Sequence, residues 1–146
     1  MIRSTSRLLC ALWIGGSAVV AASASFAEDP ASIGEQLYSG GRPLTATIFG
    51  HGAPMPSKVV VCTNCHGAPL GKPGSKPAAP DLRHGWLEQV RARRNGPAGR
   101  YDQASFCRAL RSGIDPVYVM LPIRMPRFTI SDPDCAALWL YLESKA

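Results

Sequence analysis

The sequence predicts an all-α fold of four or five short helices, and three observations carry that expectation. Apolar residues recur at helical spacing beside recognisable caps. No stretch alternates apolar and polar residues as a half-buried strand would. The 14 Gly and 13 Pro concentrate between residues 39 and 100, which suits long irregular segments between helices.

In chain order, Ile33 to Tyr38 reads as a short helix with Ser32 as N-cap, Ile33 and Leu37 on one face and Gly40-Gly41 as its end. Residues 42 to 58 are broken by Pro43, Pro54 and Pro56 and read as loop. Val59-Val60-Val61 has strand composition, but it runs straight into a cysteine motif, so a helical turn carrying the cysteines is favoured. A Gly/Pro loop follows, then a helix over Trp86 to Arg94 with Asn95-Gly96-Pro97 as its stop. Gln103 to Ser112 places Phe106, Ala109 and Leu110 on one face before Gly113. The last helix opens on Ser131 with Asp134 three residues on and Pro133 in the first turn, and Cys135, Leu138, Trp139 and Leu142 form its inward stripe.

Residues 62 to 66 are Cys-Thr-Asn-Cys-His. Cys-x-x-Cys-His is the attachment pattern of a c-type haem. Cys62 and Cys65 would each add a thiol to a haem vinyl group, and His66 would become the proximal iron ligand. A zinc ribbon needs a second ligand pair, and none is present. A dithiol redox site belongs in a strand-helix-strand unit, whereas this motif leads into a loop from Ala68 to Gly74. A single motif implies one haem c and one iron.

Arg3 and Arg7 precede an apolar run from Leu8 through Val20 into Ala22, with small residues near Ala24 and Ala27, as in a secretory signal peptide. The run is short and diluted by Gly and Ser for a spanning helix of about 20 residues. Cys10 sits too early for lipid attachment. Residues 1–27 are therefore expected to be removed, leaving 28–146 as one domain with no stable membrane span. Haem attachment of this kind takes place outside the cytoplasm, so motif and leader agree on the periplasm. Of five cysteines, Cys10 departs with the leader and two are committed to haem, which leaves Cys107 and Cys135 as a predicted disulfide. That bridge would stabilise the fold by about 3 to 4 kcal/mol in the chain-entropy model.

The formal charge of +6 falls to +4 without Arg3 and Arg7. Such a protein is steered towards acidic surfaces. Arg91, Arg93, Arg94 and Arg100 are the densest cluster, read as a solvated helix end or a docking patch. Nucleic acid is not an expected partner of an exported haem protein.

A simple electron carrier needs a second axial ligand, commonly a thioether. The candidates are Met55, Met120 and Met125, with His51 and His84 as nitrogen alternatives. Met125 is favoured because Pro126 forces the segment to be extended, and an extended loop can bring a methionine over the haem face. Met120 is its main rival.

With Leu110 to Pro116, Met125-Pro126-Arg127-Phe128 and Ser131 to Leu142 added to the haem motif, residues 31 to 143 resemble a class I cytochrome c of the small bacterial type. The resemblance implies a cytochrome c-like fold around one covalent haem, with Met125 as distal ligand. It implies that the carbonyl of Pro80 accepts a hydrogen bond from the His66 imidazole. It also implies that the first and last helices cross closely, Gly34 and Tyr38 meeting Leu138 and Tyr141. The chain departs from the family at Val117 to Leu121, which is apolar where polar residues are usual.

The expected function is periplasmic one-electron transfer with His66/Met125 ligation and no chemical transformation of a substrate. The partners would be a dehydrogenase, including one that this chain serves as cytochrome subunit, or a terminal oxidase. The competing reading is a haem with an open or labile sixth site, a peroxidase or small-ligand sensor drawing on His51, His84 or Arg124.

Overall fold

The computed structural model describes residues 28–67 and 79–145, so the leader expected over residues 1–27 and most of the Gly/Pro loop lie outside it. In order, the elements are α1 (Pro30–Ser39), β1 (Thr45–Thr47), α2 (Thr63–His66), α3 (His84–Glu88), β2 (Arg91–Ala92), β3 (Ala98–Gly99), α4 (Gln103–Ser112), β4 (Arg127–Thr129) and α5 (Asp132–Glu143). Caps set the limits of the three long helices. Asp29, not Ser32, caps α1: its carboxylate accepts from the Ser32 N–H at 3.1 Å, Pro30 opens the helix, and Gly40 closes it at φ 86°. Asp102 and Ser105 exchange side-chain and backbone bonds at the start of α4, and left-handed Gly113 ends it. Ser131 Oγ accepts from the Asp134 N–H at the head of α5.

The fold is mixed, not all-α as the sequence predicts. β1 and β4 pair antiparallel with Ala46 opposite Phe128, and β2 pairs with β3, Arg91 opposite Gly99. Strands of two and three residues are too short to display a period of two, which is why the pattern missed them. The helix expected over Trp86 to Arg94 is also corrected: α3 stops at Glu88, and Arg94 and Asn95 take left-handed conformations at φ 50° and 61° where the chain reverses into the β2–β3 hairpin. Arg93 is buried, and its guanidinium donates to the carbonyls of Trp86, Leu87, Gln89 and Gly99. This part of the arginine run is an internal clamp, not a solvated helix end.

α1 crosses α5, and the close approach requires Gly34. A Cβ there would stand 2.6 Å from Tyr141 Cβ and closer still to the Ala137 carbonyl oxygen. α4 is tied to α5 by the predicted disulfide, Cys107–Cys135, with Cα atoms 5.9 Å apart, and the Phe106 and Trp139 rings pack beside it at 5.3 Å. Leu37, Leu110, Phe128, Leu138 and Leu142 complete a single core. Between α4 and β4 the chain is organised by fully buried Asp115, which pairs with Arg94 and accepts the Val117 and Val119 N–H groups at 3.1 and 2.7 Å. Among the described residues no helix is long and apolar enough to cross a membrane.

Candidate functional site

The cysteine motif folds as one turn of helix. Val59 to Val61 form no strand; Val60 is buried, and the Asn64 side-chain amide donates to the carbonyls of Lys58 and Val59 at 3.0 and 3.1 Å, pinning the preceding turn onto α2. Cys62 has helical backbone angles, and its carbonyl accepts the His66 N–H at 2.9 Å. Positions i, i+3 and i+4 of a helix share a face. Cys62, Cys65 and His66 are therefore presented together. Gly67 ends the turn, its N–H on Thr63 O at 3.1 Å.

The His66 ring is held by one edge and unpartnered on the other. Nδ1 lies 2.7 Å from the Pro80 carbonyl oxygen, which can only accept, so the proton is placed on Nδ1. Nε2 then carries a lone pair, and it is buried without a hydrogen-bond partner. Burial pulls the imidazole below its ordinary pKa, against the opposing pull of the Pro80 bond and Asp81, and keeps the ring neutral. A buried polar atom left unsatisfied costs about 1 to 3 kcal/mol. A neutral imidazole with its second nitrogen on a backbone carbonyl is the arrangement that metal-ligating histidines adopt. The donor set fits a haem iron.

Two further residues support it, Tyr38 outside the motif and Asn64 within it. Tyr38 on α1 donates its hydroxyl to the His66 carbonyl at 3.1 Å, and burial pushes its pKa up to about 12, which keeps it a donor. Asn64 supplies the turn clamp; an asparagine that can bond backward to backbone carbonyls was the available sequence signal. Cys62 and Cys65 are free thiols, and burial pushes Cys62 up to about 11.

Burial separates the methionines. Met55 and Met125 pack against the core, whereas Met120 is 54 % exposed and bridged to Ile114. Met125 is fixed by its backbone: its N–H donates to Pro122 O at 2.9 Å and its carbonyl accepts from Arg127. Arg124 and His51 are exposed, and His84 is engaged with Glu88 at 3.2 Å. Beside His66 a cavity of about 470 Å³ is lined by Tyr38, Asp81, Leu82, Tyr141 and Leu142 among others; Cys62, Cys65 and Met125 do not line it. The chain matches no protein-family model, no curated protein and no solved structure.

Proposed function

We propose that this chain is an exported monohaem c-type cytochrome, similar to class I, that carries single electrons between periplasmic proteins. The observation that carries the reading is the buried, unpartnered Nε2 of His66 beside two free cysteines on the same helical turn. Bound there, a haem c supplies reversible one-electron chemistry at its iron. Cys62 and Cys65 would tether it by adding S–H across its vinyl groups, the proton passing to carbon with no change of oxidation state. His66 would offer its Nε2 lone pair, while the Pro80 carbonyl holds the ring in orientation and raises its donor strength. Met125 would be the second protein residue to hold the iron; a thioether favours the reduced state and raises the potential. Met125 is partly buried against the apolar core, which would disfavour the extra positive charge of the oxidised state. A dehydrogenase or a terminal oxidase is the proposed class of partner.

The test is expression of the chain with c-type maturation machinery. The mature protein should gain the mass of one haem and a Soret band, and Cys62→Ala/Cys65→Ala should lose both. Absence of both from the parent overturns the reading. Carbon monoxide added to the reduced protein at neutral pH should bind slowly or incompletely; rapid, complete binding would replace the carrier with the open-site alternative.

A further inference from the structure

Away from the haem motif, α3 meets the C-terminal end of α5, and three metal-binding side chains converge there: His84, Glu88 and Glu143, with one ligand atom from each lying within 4.8 Å of the others. We propose that this trio is a binding site for a divalent transition-metal ion, with Zn²⁺ as the representative occupant.

The residues come from distant parts of the chain and are held by contacts that do not depend on a metal. His84 and Glu88 are four apart on α3 and share a face, with the imidazole Nε2 3.2 Å from Glu88 Oε2. The His84 N–H donates to Lys145 O at 3.2 Å, docking the start of α3 on the end of α5. Glu143 is aimed by Trp139, whose buried indole N–H donates to Oε1 at 2.7 Å and leaves the second carboxylate oxygen uncommitted to it. Charge points the same way. Two carboxylates face one imidazole, and the neighbouring Lys145 ammonium lies over the Tyr141 ring, forming no ion pair with either carboxylate. Bringing a second carboxylate to this place adds like-charge repulsion, which a divalent cation offsets.

The ligand chemistry selects the metal class. One nitrogen and two carboxylate oxygens, with room for water because the His84 and Glu88 side chains are 41 % and 40 % exposed, make a three-ligand site of the kind zinc occupies with a fourth position open. An imidazole in the set disfavours calcium and magnesium, which take oxygen ligands. Bound metal would staple α3 to α5.

The test is calorimetric titration of the haem-loaded protein with Zn²⁺, alongside His84→Ala, Glu88→Gln and Glu143→Gln. The parent should take up one equivalent that His84→Ala and Glu143→Gln lack, and Zn²⁺ should raise the melting midpoint of the parent alone. Glu88→Gln, a change on a half-exposed surface that leaves the fold intact, should weaken binding at least tenfold. Trp139→Phe, which frees Glu143 without removing a ligand, should weaken it by about 10- to 100-fold. If haem is not incorporated, Cys62, Cys65 and His66 form a separate zinc trap that survives His84→Ala, so the difference between the two isotherms still reports the α3–α5 site. No uptake by the parent beyond that trap, or full stoichiometry in His84→Ala, overturns the proposal.

Discussion

Single side chains make up the proposed site, and the choice between Met125 and Met120 is tested at their scale. Met125 is packed against the core and held at both ends of its peptide unit, whereas Met120 is largely in solvent. In haem-loaded protein, Met125→Ala should abolish the weak sulfur-to-iron band at the red end of the oxidised spectrum, and Met120→Ala should leave it unchanged. Loss on the Met120 substitution instead would move the ligand. Asp102 provides a second prediction. Hydrogen bonds from Ser105 hold its carboxyl below the usual carboxylate range. A carboxylate with a depressed folded-state pKa stabilises the fold above its unfolded pKa of about 3.9 and loses that contribution as pH falls through the folded value. Asp102→Ala should therefore cost about 1 kcal/mol at pH 7, a typical N-cap penalty. Urea melts at pH 7 and pH 3 should find the gap between parent and variant narrowing on acidification.

At the scale of elements, the α1–α5 crossing and the α4–α5 bridge hold the domain. Gly34→Ala would force a methyl group against the Ala137 carbonyl and Tyr141. Prying two packed helices apart costs about 1 to 3 kcal/mol or more, and because Tyr38 on α1 bonds the His66 carbonyl, the Cys62–His66 turn should loosen with it. Thermal melts and haem retention of Gly34→Ala should fall together; a drop in melting midpoint with full retention would uncouple α1 from the site. Cys107→Ala/Cys135→Ala should cost about 2 to 5 kcal/mol by denaturant melts. These long elements were legible in the sequence for local reasons: Gly113 and Ser131 mark ends that the chain itself dictates, and Phe106, Leu138 and Leu142 repeat at helical spacing. The helical turn at Cys62–His66 is legible because Val59 to Val61 run directly into it and leave no room for a strand to end first. What was not legible is long-range. Nothing local announces that Ala46 faces Phe128, or that Arg93 folds back to cap the carbonyls of α3, so a run of arginines with helical composition reads as a helix end. The Pro80 carbonyl was reached through family resemblance alone, since a backbone acceptor leaves no residue signature.

For the whole molecule, charge is distributed unevenly. Residues 89 to 131 hold eight arginines (Arg91, Arg93, Arg94, Arg100, Arg108, Arg111, Arg124 and Arg127) against Asp102 and Asp115, a formal +6, while the rest of 28–146 is −2. Parts of this segment form one structural unit: the β2–β3 hairpin packs against the Asp115 loop through Gly96 on Val119 and through the Arg94–Asp115 pair. The same loop exposes Tyr118, Met120 and Ile123, with Arg108 lying over the Tyr118 ring at 4.5 Å. A segregated field of this kind steers anionic reactants to one side of the molecule, within a Debye length of about 10 Å at 0.1 M salt. For the haem-loaded protein, the second-order rate of oxidation by ferricyanide should fall as ionic strength rises. Net charge alone would give the same trend, so location must be separated from total. Arg100→Glu/Arg124→Glu and Lys58→Glu/Arg83→Glu each change the net charge by the same amount, the first pair inside the arginine-rich segment and the second outside it. The first pair should slow the reaction at low salt far more than the second, with the difference vanishing at about 1 M salt, where the Debye length is about 3 Å. Equal slowing by both pairs would mean that only the net charge matters and that the arginine-rich segment is not where electrons are exchanged.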